Sequence, residues 1–232
     1  MKSLPHAQPW PWSFLPWLTL AMAGIAAPGM AMLFLVDAPA PLAVVAGPIL
    51  AVGLMAAGMI AAAITGRLWI GIVLALLTGG GLILLASALG TSLLSHPLST
   101  GLALIVASIS FAARGALFAR SASEKGWWVA VFVVAGEAAM LMTASAIPDA
   151  LPDWLLALLP AQWANAAIQT ALTGTGTLAA SSELVALAGT AAATLLVAWR
   201  WPRRWPYLVM FTAWLGLSAL VWHWPATISV SP

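Results

Sequence analysis

The sequence predicts an all-α fold: one polytopic transmembrane bundle of about seven helices that occupies residues 1–232 as a single domain. Hydrophobic residues make up 63% of the chain and charged residues only 6%, whereas an ordinary soluble domain carries about 25% charged residues. The apolar residues also form runs near the ~20 residues that cross a bilayer as a helix. Seven such runs with short loops use nearly the whole length, which leaves no room for a soluble domain.

Charge, proline or glycine interrupts the apolar runs and sets the limits of each predicted span. The spans are about Phe14–Val36, Leu42–Ile64, Leu68–Gly90, Leu98–Phe118, Trp127–Ile147, Leu184–Trp199 and Pro206–Trp224.

Basic residues indicate the orientation. Every lysine and arginine falls on one side of the predicted bundle: Lys2, Arg67, Arg114, Arg120, Lys125, Arg200, Arg203 and Arg204. The opposite loops hold only acidic charges, at Asp37, Asp149, Asp153 and Glu183. Basic loops stay in the cytoplasm. We therefore expect a cytoplasmic amino terminus, a carboxyl terminus outside, and residence in a bacterial-type cytoplasmic (inner) membrane.

The segment between the fifth and sixth spans, Pro148–Ser182, is too apolar for a solvated loop. Pro152 and Pro160 divide it into pieces too short to cross. Its pattern predicts two short helices, about 151–159 and 161–172, that lie in the outer interface or enter the membrane and return. A simple amphipathic cap over the bundle is the alternative interpretation.

Two charged residues fall within predicted spans. Glu137 lies near the middle of the fifth span, where a carboxylate must be protonated, paired or in contact with water inside the bundle. It is a candidate transport or proton site, or else a structural hydrogen-bonding group that faces the bundle interior. Arg114 lies near the cytoplasmic end of the fourth span, where its long side chain could extend to the headgroups. Snorkelling is the favoured interpretation for Arg114, and pairing with Glu137 is the alternative.

Three consecutive glycines, Gly79, Gly80 and Gly81, occupy the centre of the third span. They are candidates for a close helix-packing groove or for a hinge. The chain has no cysteine, no phosphate-binding loop and no hydrolase or metalloprotease motif. The sequence therefore predicts no catalytic residues, no metal site and no cofactor. A net charge of +2, without a basic run interleaved with aromatics, predicts no nucleic-acid partner.

From about residue 126 to 204 the order of parts resembles the ATP-binding-cassette type-2 (export-type) permeases. The resemblance rests on IPDALPDWLLALLPAQWANAAIQTALTG followed by LVALAGTAAATLLVAWRWPRR. These stretches correspond to a proline-marked pair of outer helices and a sixth helix that ends in basic residues. The chain departs from the family in its short join around Arg67 and its additional seventh span. The resemblance implies a transport subunit that pairs with itself or a relative and works with a separate cytoplasmic ATPase.

A second function class is also compatible with the sequence. Very short loops, a tryptophan-rich periphery and few polar groups inside the spans are typical of a structural or assembly subunit of a larger membrane complex, of the respiratory or photosynthetic type. Both hypotheses predict a homo- or hetero-oligomer embedded in the lipid bilayer. No motif favours a membrane enzyme.

Overall fold

The computed structural model describes residues 14–35, 42–89, 96–147, 149–173, 179–200 and 205–224. Within these ranges all regular structure is helical, so the all-α fold class is confirmed. Several residues used in the sequence predictions lie outside the described ranges: Lys2, Val36, Asp37, Gly90, Pro148, Arg203 and Arg204.

Nine helices follow one another along the described parts of the chain. They are α1 (Leu15–Phe34), α2 (Leu42–Thr65), α3 (Leu68–Ala88), α4 (Pro97–Ala122), α5 (Gly126–Ala146), α6 (Asp153–Ala157), α7 (Pro160–Thr173), α8 (Ser181–Arg200) and α9 (Trp205–His223). Helix α1 contains a π-helical turn, Ala21–Ala26, just before Pro28. Because proline cannot donate a backbone hydrogen bond, it favours such a local change in the helical hydrogen-bonding pattern.

Six runs in the described residues are long and apolar enough to cross a membrane. One of them, Pro97–Ala146, is 50 residues long and contains both α4 and α5. A 3₁₀ turn at Ser123–Lys125 separates the two helices. Side chains of Arg114 and Glu137, 23 residues apart, form an ion pair, although they would be about 35 Å apart along one straight helix. Helices α4 and α5 therefore form a hairpin. The architecture is that of a multi-pass membrane protein, and the number of seven crossings stays a prediction.

Helix α2 is the centre of the bundle. Of its apolar 18-residue stretch 89% is buried, compared with 22% in α1 and 17% in α9. It contacts α1, α3, α4, α5 and α7. Glycines allow the closest approaches: a Cβ atom at Gly71 would overlap the carbonyl oxygen of Gly58, and one at Gly115 would overlap that of Met59. Small residues at such crossings let helix backbones meet at short range.

The basic residues gather at one end of this bundle. Gly66, in the α2–α3 turn, lies beside Ala119 near the end of α4. The guanidinium of Arg120 donates a hydrogen bond to the carbonyl oxygen of Ala198, near the end of α8. Arg67 lies in the turn between α2 and α3, Lys125 in the turn between α4 and α5, and Arg200 at the end of α8, so all three lie at this end of the bundle. We call this end the basic end and the opposite one the outer end, following the predicted orientation.

Candidate functional site

The Glu137 side chain is held inside the bundle by two partners. Glu137 lies on α5, nine residues before that helix ends at Ala146, which places it about 14 Å below the outer end. The residue is 6% exposed. Its Oε1 atom pairs with Nη2 of Arg114 on α4, and its Oε2 atom accepts a hydrogen bond from the backbone N–H of Ala161 at 3.1 Å. The carboxylate thus faces the bundle interior and joins three helices.

The structure corrects the favoured interpretation of Arg114, because its side chain pairs with Glu137 and does not snorkel. The sequence placed the end of the fourth span at Phe118, whereas α4 continues to Ala122. Arg114 is therefore about 12 Å from the basic end of its helix, and Glu137 is about 17 Å from the start of α5. Their depths differ by about 5 Å, a gap that one arginine side chain can span. Only 17% of the Arg114 side chain is exposed.

Helix α7 supplies the third member of this junction through its first turn. It begins at Pro160, a residue favoured at a helix start because its missing N–H would have no partner there. The next N–H group, that of Ala161, points at Glu137. A carboxylate at a helix amino terminus is favoured both by the free N–H groups and by the positive end of the helix dipole. Arg114 and α7 therefore both stabilise the negative charge of Glu137.

Helix α7 is a half-length helix inside the bundle. Its 14 residues extend about 21 Å, which is less than the ~30 Å of a hydrocarbon core. Its amino terminus meets Glu137 at mid-depth. Further along, Asn165 and Gln169 lie against Gly47 of α2. A Cβ atom added at Gly47 would be 2.8 Å from the nearest atom of Asn165 and 3.3 Å from that of Gln169. Gly47 is only five residues from the start of α2 at Leu42, so α7 runs from mid-depth towards the outer end.

The burial of α7 favours the interpretation of the outer segment as a helix that enters the bundle over that of a simple cap. Nearly all residues of α7 are buried, including Trp163 at 0% exposure, and the helix contacts α2, α4, α5 and α8. A cap on the surface would leave one face exposed. The preceding short helix α6 does stay near the surface, with Trp154 54% exposed.

Further polar side chains near the junction were not singled out from the sequence. Asn165 is 5% exposed, and its Nδ2 atom donates to Oε1 of Gln162 at 3.3 Å. Ser110 is completely buried on α4, one turn from Arg114 and on the same face of the helix. The amides in PAQWANAAIQ were a usable signal, because three of them within an apolar, proline-interrupted segment require buried partners.

The three central glycines of α3 have different surroundings. An added Cβ atom at Gly79 would lie 3.0 Å from the side chain of Leu54 on α2, whereas Gly80 and Gly81 have no neighbour within 4 Å. Helix α3 continues without interruption through all three. Close packing therefore accounts for Gly79 alone, and a hinge at Gly80 or Gly81 stays a prediction.

Comparison with protein-family models, with curated proteins and with solved structures finds no match to this chain. Within the described residues, no three His, Cys, Asp or Glu side chains lie close enough together to hold a metal ion. The junction of Glu137, Arg114 and the amino terminus of α7 is the candidate functional site.

Proposed function

We propose that this chain is the permease component of an ATP-driven transporter, working with a separate ATPase chain in a bacterial-type inner membrane. The observation that carries the proposal is the half-length helix α7, whose amino terminus meets the ion pair of Glu137 and Arg114 at mid-depth. Interrupted backbone at membrane depth is tolerated only where protein or a cavity surrounds it. In transporters, such half-helices place their amino termini at anionic groups near the midplane.

The junction offers a physical basis for conformational change. A single carboxylate holds α4, α5 and α7 together. Another anion that competed for Arg114 or for the first N–H groups of α7 would weaken the attraction that fixes both to Glu137. In this proposal Glu137 and Arg114 are the residues that couple movement of α7 to the rest of the bundle.

The basic end fits a cytoplasmic partner. Arg67, Arg120 and Lys125 are all exposed there, and their charge would attract an acidic surface on an ATPase. Because Arg120 also bonds to Ala198, Arg67 and Lys125 can be changed with less effect on the bundle itself.

Isolation of the tagged chain in mild detergent, followed by mass spectrometry, tests the proposal. We expect an ATPase chain in comparable amount, and we expect Arg67→Gln combined with Lys125→Gln to reduce its recovery. Asp149→Asn combined with Asp153→Asn is the matched control, because both carboxylates are exposed and lie away from the basic end. Recovery of pigment- or redox-bearing proteins without an ATPase would contradict the proposal.

One observation favours the second candidate, a structural or assembly subunit of a larger membrane complex. Both carboxylate oxygens of Glu137 already have partners, so the junction can serve as a purely structural connection. In that case, the same isolation would recover the subunits of the larger complex.

A further inference from the structure

Three helices meet at one corner of the basic end, where α4 and α8 end and α9 begins. Leu117 of α4 is buried together with Val197 and Ala198 of α8, and Tyr207 of α9 packs against this cluster. The cluster holds the three helices side by side, so the residues that flank it on each helix lie near one another. We call this region the α4–α8–α9 corner.

Two arginine side chains give this corner its charge. Arg120 is exposed near the end of α4, and its guanidinium donates a hydrogen bond to the carbonyl oxygen of Ala198. Arg200 is the last residue of α8, two positions after that carbonyl. Glu124 is exposed in the turn after α4. Because neither arginine pairs with a carboxylate in the described part of the chain, both positive charges are available to an external anion.

The guanidinium of Arg200 is oriented by an aromatic ring. Its Cζ atom lies 4.3 Å from the centroid of the Trp199 ring, which is within the range of a cation–π contact. Of its three nitrogens only Nε is buried without a partner, so the two terminal nitrogens remain accessible as donors. A planar guanidinium that is held in this way can donate two hydrogen bonds to the oxygens of one phosphate.

The surroundings of the two arginines indicate a membrane lipid as the source of that phosphate. Trp199 is 71% exposed and Trp205, the first residue of α9, is 47% exposed. Helix α9 also has the least buried apolar stretch of the six candidate spans. Tryptophans concentrate at the level of the lipid headgroups, and basic pockets between transmembrane helices bind anionic headgroups. Exposed indole rings beside the arginines favour a lipid over an acidic protein, because a lipid supplies both a phosphate and hydrocarbon.

We propose that the α4–α8–α9 corner binds one anionic phospholipid in the leaflet at the basic end. The guanidinium groups of Arg200 and Arg120 hold the phosphate, and the indole rings of Trp199 and Trp205 contact the upper part of the acyl chains. The proposal is independent of the transport function and of the Glu137 junction.

Lipid titration tests the site. The full chain, purified in mild detergent, is titrated with phosphatidylglycerol or with phosphatidylcholine, and native mass spectrometry measures the bound lipid. We expect phosphatidylglycerol to bind about fivefold more tightly, and Arg200→Gln to remove most of this preference, since one basic side chain at an anionic headgroup corresponds to about that factor.

Arg67→Gln is the matched control, because it removes the same charge from the turn between α2 and α3. It should weaken phosphatidylglycerol binding by less than about twofold, since a charge without direct contact is screened by salt. Equal losses in Arg67→Gln and Arg200→Gln would show a general attraction by the basic end and would overturn the proposed site. Circular dichroism confirms that each variant is folded.

Arg200→Lys separates the guanidinium from its charge. The ammonium group cannot donate in the paired geometry of a guanidinium, so Arg200→Lys should restore only part of the preference that Arg200→Gln loses. Full restoration by lysine would refute the assigned role of the guanidinium.

Two further measurements distinguish the proposed lipid from other anions. Excess inorganic phosphate should leave phosphatidylglycerol bound, because a free ion makes no contact with the indole rings, and displacement by phosphate would refute the lipid as the occupant. Lipid binding that is unchanged in Arg200→Gln, together with reduced recovery of an acidic protein partner, would make the corner a protein-docking surface and would also refute the proposal.

Discussion

Glu137→Gln removes the negative charge from the junction and keeps the size of the side chain. The amide oxygen can still accept the N–H of Ala161, but Arg114 loses its anionic partner. Its Nη1 atom already lacks a partner within the protein. Breaking a buried ion pair at one partner costs about 3–5 kcal/mol. Since 17% of the Arg114 side chain is exposed, we expect the lower end of that range, about 3 kcal/mol.

A double-mutant cycle isolates the pair. Arg114→Gln should cost a similar amount, because it leaves a buried carboxylate with only the Ala161 N–H. The double variant leaves no charge unpaired, so its loss should be smaller than the sum of the two single losses by about 2–3 kcal/mol. Unfolding of the purified protein in mixed micelles, followed by tryptophan fluorescence, measures each free energy.

Glu124→Gln provides the control for this cycle. Glu124 is exposed in the turn between α4 and α5, so its substitution should change the free energy of unfolding by less than about 0.5 kcal/mol. The ion pair would be refuted as a stabilising contact if the losses of unfolding free energy in the two single variants simply added in the double variant. A loss in Glu137→Gln no larger than that in the control would refute it as well.

Three further predictions concern packing, order and orientation. Gly115→Ala should destabilise the protein strongly in the same unfolding assay, because its Cβ atom would overlap a backbone carbonyl. Gly80→Ala has open space around it and should stabilise the protein by up to about 1 kcal/mol; equal effects of the two substitutions would contradict the described packing. Amide hydrogen exchange should be slow across Pro160–Thr173, since the helix is buried, and exchange at the rate of an unstructured peptide would contradict its position. A reporter active only outside the cytoplasm should be active when fused after Pro232 and silent when fused after Arg204, and the reverse result would overturn the predicted orientation.

The hydropathy pattern predicted the helices of this fold closely. The predicted span Leu68–Gly90 corresponds to the helix Leu68–Ala88, because breakers flank an unbroken apolar run. The fourth span was less well predicted. The predicted span stopped at Phe118, just before Arg120, but Arg120 and Ser121 continue α4 as ordinary helical residues, and the helix ends only where Ser123 adopts a positive φ of 48°. This error of four residues displaced the expected depth of Arg114 and led to the incorrect interpretation of its side chain.

The path of α7 could not be predicted from its own sequence, because its composition suits an interface as well as a buried site. Its position depends on contacts with residues that are far away in the sequence. Gly47 leaves room for Asn165 and Gln169, and Glu137 meets the Ala161 N–H from a helix 24 residues earlier. Such pairings follow from tertiary packing, which neither periodicity nor hydropathy records.

Three features that looked separate in the sequence share one physical explanation. An acid in mid-span, an arginine inside a span and a proline-divided outer segment each carry a cost in a membrane. In the structure the costs offset one another, because Glu137 neutralises Arg114 and caps the start of α7. Pro160 completes the arrangement, since it has no N–H group of its own to satisfy. Any change in the charge of the Glu137 carboxylate therefore also changes what holds the half-length helix α7 at mid-depth.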